Sequence, residues 1–373
     1  MHIGLNLTFL VPNETGGMEI YARHLIESLG RVRPDIRLTA LVNRNAANAP
    51  GPWQDIETVT VPVNSRNRVA WVLGDQLLVP PLAMRAKVDL LHSPANLAPA
   101  WGRHKRMVTV HDLIHKTFPE AHEGLRAKAV GVIMPLGIRR SHRLIADSES
   151  TKADLQELEH EPAAKIDVVP LGLDVPHPER ALPEQQIRDT YDLGDRKVAL
   201  SLSAKRPHKN LIRLLDALAS IPPEKRPVLV IPGYRTWYEQ ELNEHAARLG
   251  IADDVRLLGW VDEAEIEAFY AAASLFVFPS LYEGFGLPVL EAMQRGVPVA
   301  CSDRSSLPEV AGEAALLFDP EQTGQITAAM EKLLEDRDEA ERLRQAGLER
   351  ARRFTWDATA RATAESYERA LAA

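Results

Sequence analysis

The sequence predicts an α/β protein built from two doubly wound domains. Short runs of β-branched and aliphatic residues alternate with longer helix-periodic stretches up to about Pro320. Those runs are almost free of polar interruptions, as strands of parallel sheets covered on both faces should be. At 373 residues the chain also exceeds a single core, at roughly 150 residues per domain.

The predicted strands of the first half are 2–7, 36–42, 89–92, 107–110, 143–146 and 165–169. Those of the second half are 197–203, 228–231, 255–258, 275–278, 297–301 and 315–318. Helical spacing marks 18–29, 211–219, 263–273 and 289–295, and beyond Pro320 only helices remain, the last at 356–371. The longest polar break, 174–195, carries Pro176, Pro178 and Pro183 and sets the expected boundary, between 175 and 176.

Composition removes whole classes. Apolar residues at 45% and charged residues at 26% are globular values, not those of disordered, collagen-like or coiled-coil chains. No apolar run reaches the roughly 18 residues of a membrane span. The start Met1-His2-Ile3 lacks the basic residues of a secretory signal, so a cytoplasmic protein is expected. The single cysteine, Cys301, excludes a disulfide framework and a Cys-rich zinc site. A net charge of -8 argues against nucleic acid as partner. Its distribution is uneven: residues 1–150 hold 18 Lys and Arg against 13 Asp and Glu, and the remainder 26 against 39. A basic half and an acidic half point to domains meeting different partners.

In parallel sheets ligands bind beyond the carboxyl ends of strands, so chemistry is sought in the loops there. The richest begins at Phe278-Pro279. A glycine-bearing turn leads to a helix expected near Leu287-Pro288, proline suiting a first helical position. The backbone N–H groups of Phe285, Gly286 and Leu287 then form an anion site at a helix start. Gly284 and Gly286 admit close approach, Glu283 stands at the mouth, and Glu291 lies a turn into the helix. Lys205, Arg206 and Lys209 follow the run 197–203 at another helix opening. Cations are disfavoured at that end of a helix unless an anion joins them.

Gly16-Gly17 makes a tight turn after the first strand but lacks the Gly-x-Gly-x-x-Gly spacing of a dinucleotide site. His111 stands at a strand end beside Asp112. With His115 it imitates the zinc-protease pair, yet Asp replaces the catalytic Glu and the segment adjoins a strand. Asp336-Arg337-Asp338 falls between helices and reads as a turn and cap, so no metal is expected.

Further segments agree in order with these: Thr15-Gly16-Gly17, His111-Asp112-Leu113, Ala146-Asp147-Ser148, Pro170 to Asp174, Pro207-His208-Lys209-Asn210, Gly259-Trp260-Val261 and Ser305 to Glu309. With Glu283 and Glu291 in their Glu-Gly-Phe-Gly-Leu-Pro setting, the whole chain resembles the retaining glycosyltransferases of family GT4. The resemblance implies the GT-B fold: two Rossmann-like domains facing across a cleft, an acceptor domain at 1–175 and a nucleotide-sugar domain at 176–355. The last helix, 356–373, would cross back to the first domain and serve as a hinge. Lys209 and one of its neighbours Lys205 and Arg206, Arg206 preferred, would hold the donor diphosphate; the pair Lys205-Arg206 departs from the family pattern of a lone arginine. Gly16 and Gly17 would bring backbone to the diphosphate, and His111 would lie near the transferred sugar. Glu283 would hold sugar hydroxyls, Glu291 the ribose, and Gly259, Trp260 and Val261 the base.

No cofactor is implied, the nucleotide sugar being a co-substrate, and transfer would be metal-independent and front-face. The pattern lies nearest bacterial mannosyltransferases of surface-polysaccharide assembly, which favours GDP-mannose over UDP- or dTDP-sugars. The rivals are a sugar-nucleotide 2-epimerase, a glycosidase using Glu283 and Glu291, and a non-catalytic two-domain sugar-binding protein. The acceptor would be a saccharide, free or lipid-diphosphate-linked. Arg103, Lys105, Arg106, Arg126, Lys128, Arg139, Arg140 and Arg143, around an expected helix at 123–138, would then give reversible contact with an anionic membrane.

Overall fold

The computed structural model describes residues 1–12, 14–118 and 125–372, without the side chains of 125–130 and 132. The chain divides into two compact units, Met1–Gly172 with Phe354–Ala373, and Leu173–Arg353.

Unit 1 holds β1 (His2–Leu7), β2 (Arg37–Val42), β3 (Glu57–Thr60), β4 (Leu90–Ser93), β5 (Lys105–Val110), β6 (Arg143–Ala146) and β7 (Ile166–Val168). All pair in parallel, in the order β3-β2-β1-β4-β5-β6-β7. Every residue of β1 is buried, which accounts for its apolar run. β3 escaped the sequence reading because it is an edge strand whose Glu-Thr-Val-Thr lies mostly in solvent.

Unit 2 holds β8 (Val198–Leu200), β9 (Val228–Ile231), β10 (Val255–Leu257), β11 (Leu275–Phe278), β12 (Val299–Ser302) and β13 (Ala315–Phe318), in the order β10-β9-β8-β11-β12-β13. These strands are parallel too. The order reverses between β1 and β4 in unit 1 and between β8 and β11 in unit 2, which are the switch points where such sheets bind ligands.

The division falls a few residues before the expected 175/176. The proline-bearing stretch 174–195 is not a loose connection. Pro183 leads into the helix Glu184–Thr190, Ile187 is buried, and Leu182 donates its N–H to the Ala264 carbonyl at 3.2 Å. Its prolines set turns inside unit 2 rather than freeing the chain.

The helix Trp356–Ala372 belongs to unit 1. It buries Trp356, Thr359, Ala360, Thr363, Ala364, Tyr367 and Ala370, a helical stripe whose small residues permit close packing on the helix Gly17–Val32. The Trp356 ring stacks on His24 at 4.9 Å, and Arg33 reaches Glu368 at 2.9 Å. Gly172 is obligatory at this crossing, because a Cβ there would strike the backbone of Trp356.

Beneath the helix, the Tyr367 hydroxyl meets His92 Nδ1 at 2.8 Å, and His92 Nε2 meets Thr109 Oγ1 at 2.8 Å. Burial, with the nearby charge of His111, depresses the His92 pKa to about 3, so this imidazole is neutral. Tyr367→Phe would strip one ring nitrogen of its partner in a dry site. We expect a loss of about 1–3 kcal/mol, read as a lower denaturation midpoint with unchanged slope. An unchanged midpoint would mean that the network does not hold the helix.

Candidate active site

Unit 2 brings the loops after β8 and β11 together at its switch point. Lys209 Nζ lies 2.6 Å from Glu283 Oε1, both side chains largely buried, and 5.3 Å over the Phe278 ring. Asn210 fastens the arrangement. In left-handed backbone at φ 58°, its amide donates to the carbonyls of Pro279 at 3.1 Å and Pro320 at 2.7 Å. Leu281 N–H donates to the His208 carbonyl at 2.8 Å. The two expected charges thus meet on a rigid seat.

The turn after Glu283 is shaped from the other side by Ser305 and Ser306. Ser305 Oγ donates to the Glu283 carbonyl at 2.6 Å, and Ser306 Oγ reaches the Glu283 and Phe285 carbonyls at 2.9 and 2.6 Å. Gly284 and Phe285 lead to Gly286, whose φ of 110° only glycine adopts readily, and the helix Leu287–Gln294 starts there with Pro288 in its first turn. Its leading N–H groups therefore open beside the Lys209–Glu283 pair, an anion-favouring end. Glu291, about one turn on, accepts from the Tyr270 hydroxyl at 3.2 Å, and burial raises its pKa.

Lys205 and Arg206 part company. Lys205 is fully buried, its ammonium donating to the carbonyls of Gly233, at 2.8 Å, and Leu258. Burial lowers its pKa to about 8. It knits the loops after β8, β9 and β10 and offers no surface to a phosphate, whereas Arg206 is partly exposed. Gly259 accepts from Gly233 N–H at 3.1 Å, Val261 is buried, and Trp260 stands in solvent with Tyr234 at 4.9 Å. Of the three base-lining candidates, Trp260 alone presents an exposed aromatic face.

In unit 1, Gly16 begins the helix Gly17–Val32 at φ 67°, a glycine conformation, and nothing stands within 4 Å of a Cβ built at either Gly16 or Gly17. His111 sits at the end of β5 with both ring nitrogens on acceptors: Nδ1 on Asp147 Oδ2 at 2.7 Å and Nε2 on the Pro94 carbonyl at 2.9 Å. Its N–H donates to Asn96 Oδ1 at 2.6 Å, and Tyr21 meets the ring edge-on at 5.0 Å. Only an imidazolium donates from both nitrogens. Burial opposes the charge, but Asp147 and the Pro94 carbonyl outweigh it and raise the His111 pKa.

The sequence reading gave Asp147 no role, although it ends a buried strand as His111 does. Tyr270, Ser305 and Ser306 were likewise missed as partners of the acidic residues. Asp336 is the cap expected, accepting from Glu339 N–H at 3.0 Å. Among the described residues no cluster of His, Cys, Asp and Glu is arranged for a metal.

We expect Asp147→Asn to bring the His111 midpoint down, since burial then prevails. A raised folded pKa adds stability fully below the unfolded value of about 6.5 and loses it as pH rises through the folded one. Wild type should therefore lead Asp147→Asn in stability most below pH about 6.5 and lose that lead above. Proton NMR titration beside urea unfolding reads both effects; identical His111 midpoints in the two proteins would refute the coupling.

Comparison with known proteins bears on the family and the fold. Residues 15–176 match the profile of Glycosyltransferase Family 4, and residues 184–350 that of Glycosyl transferases group 1. The chain is 32% identical over 292 residues to O-antigen chain mannosyltransferase B of Escherichia coli, covering 77% of this chain and 76% of that one. It is 27% identical over 395 aligned positions to a D-inositol 3-phosphate glycosyltransferase of Thermobispora bispora, covering 96% and 91%. In fold it is similar to sucrose-phosphate synthase of Thermosynechococcus elongatus, with a TM-score of 0.79 and 20% identity across 100% and 99% of the two chains. Two Rossmann-like units of GT-B type, each family match lying within one half of the chain, and a relative aligned along most of its length place this chain among the group 1 glycosyltransferases of family 4.

Proposed function

We propose that this glycosyltransferase moves mannose from GDP-mannose, with retention at the anomeric carbon, to a saccharide acceptor carried on a lipid diphosphate during polysaccharide assembly. The observation that carries the donor site is the Lys209–Glu283 pair at the switch point of unit 2, beside the opening of the helix Leu287–Gln294. The Escherichia coli relative, an O-antigen chain mannosyltransferase, supports mannose as the sugar and chain assembly as the process. The expected cytoplasmic location, at the inner face of the membrane, goes with this reading.

In the proposed reaction the bond from the sugar's anomeric carbon to the diphosphate breaks, and the acceptor oxygen takes the same face. The acceptor's proton passes to the departing diphosphate. Lys209, Arg206 and the helix N–H groups neutralise the leaving charge, so no metal is needed for that task. Glu283, positioned by Lys209, serves the sugar hydroxyls, Glu291 the ribose and Trp260 the base. In unit 1, His111 acts as a fixed positive charge rather than a proton carrier, because both its nitrogens are committed to protein acceptors.

A thermal-shift panel of GDP, UDP, dTDP and ADP tests the base, since a ligand that binds the folded state raises its melting temperature. GDP should give the largest rise, and a larger rise with UDP or dTDP would overturn the donor assignment. Arg206→Ala and Lys209→Ala should each lower kcat/KM for the donor by roughly a hundredfold at saturating acceptor. Near-normal values in both would remove the diphosphate site from this position.

A further inference from the structure

Behind Glu291 stands a support that begins on another helix, Glu263–Ala272. Tyr270 of that helix is 2% exposed, and its hydroxyl is the group that donates to Glu291 Oε2. Arg295 lies over the phenol ring, 4.7 Å from its centroid, and Phe276 of β11 tilts against the ring at 6.3 Å. Arg295 is itself held. Its guanidinium pairs with the buried Glu267 through Nε, at 2.9 Å, and through Nη2, while Nη1 donates to the Glu291 carbonyl at 3.2 Å. Glu267 also accepts the His177 N–H at 3.3 Å. Every member of this stack belongs to unit 2.

The two carboxyls fare differently. Burial pushes Glu267 up, yet the arginine outweighs it and leaves that group below its usual range. At Glu291 burial prevails and the pKa rises: the Arg295 charge and the Tyr270 hydroxyl oppose burial, while Asp174 and Glu267 add to it. Glu291 therefore has no cation bound directly to its carboxylate among the described residues; one neutral hydroxyl does that work, stacked beneath an arginine. Its other oxygen, Oε1, takes no hydrogen bond from the described residues, and the side chain is only partly buried, so lone pairs remain for a ligand. A carboxylate in this state repels anions and suits neutral O–H donors.

We propose that Tyr270, stacked on Arg295, is a positioning residue that aims Glu291 at the ribose hydroxyls, so that the site selects ribonucleoside over deoxyribonucleoside diphosphates. The proposal rests on the donor-site reading and disfavours dTDP-sugars relative to GDP- and UDP-sugars. A sugar lacking the hydroxyl leaves a desolvated carboxylate unpaired, a larger loss than that of one exposed hydrogen bond. Without the Tyr270 hydroxyl, Glu291 loses the donor on Oε2, shifts further toward its neutral acid and is no longer held in one direction.

Calorimetry of wild type and Tyr270→Phe with GDP, 2′-deoxy-GDP and 3′-deoxy-GDP is the experiment, with UDP and its deoxy forms in their place if UDP gives the larger thermal shift. Wild type should bind the ribonucleotide roughly tenfold tighter than at least one deoxy analogue. Tyr270→Phe should reduce that ratio to about twofold or less, while its affinity for the analogue stays within about twofold of wild type. Because the ribose is remote from the bond that breaks, KM for the donor should rise and kcat should stay within about twofold. A merely structural role would weaken the ribonucleotide and its analogues alike, and that outcome would overturn the proposal. So would the full ratio retained in Tyr270→Phe, or no ratio in wild type. Should Tyr270→Phe fail to fold, Arg295→Lys keeps a charge beside Glu267 but loses the planar stack, and it must show the reduced ratio; a wild-type ratio there would overturn the proposal equally. Failure of every nucleoside diphosphate to bind wild type would remove the donor-site reading, and this proposal with it.

Discussion

Strands that all run parallel deliver every carboxyl end to one edge of their sheet, and in each unit the distinctive chemistry hangs on that edge. Loops from β8 and β11 carry Lys209 and Glu283; the end of β5 carries His111, and β6 is followed at once by Asp147. None of these residues neighbours its partner in sequence. The sheet order makes them adjacent, which is why the pairs depend on burial of β-branched runs far from any charge.

That dependence explains what the sequence disclosed. Buried strands announce themselves by composition, so eleven of the twelve expected runs lie within two residues of an observed strand at each end; the expected 197–203 overran Val198–Leu200, its later residues already turning toward Lys205. The start of the helix at Leu287 was legible from Gly286 and Pro288, because positive φ and a missing N–H are local properties. Partnerships were not legible. That Lys205 would turn inward and Arg206 outward depends on carbonyls of Gly233 and Leu258, from loops that only the fold brings near.

The internal charges follow one rule. Lys205 keeps its ammonium on carbonyls at the cost of a lowered pKa, whereas His111 has a carboxylate and gains one. Burial prevails at Lys205, and a carboxylate prevails over burial at His111, so the two groups are shifted in opposite directions. His92, between neutral hydroxyls and near His111, stays uncharged, so the positive charge in this part of unit 1 is confined to one ring.

The return of the final helix to unit 1 makes unit 2, topologically, an insertion between Gly172 and Phe354. During synthesis the ribosome therefore emits most of unit 1 before unit 2, and its closing helix only after unit 2. Until Tyr367 arrives, one ring nitrogen of His92 lacks its partner and the bed of the last helix is open to water. Unit 2, a continuous stretch, has all its parts while the earlier unit still waits. A product truncated between Arg353 and Tyr367 would then hold a finished second unit and an unfinished first one, exposing apolar surface to the chaperones and proteases that police incomplete products.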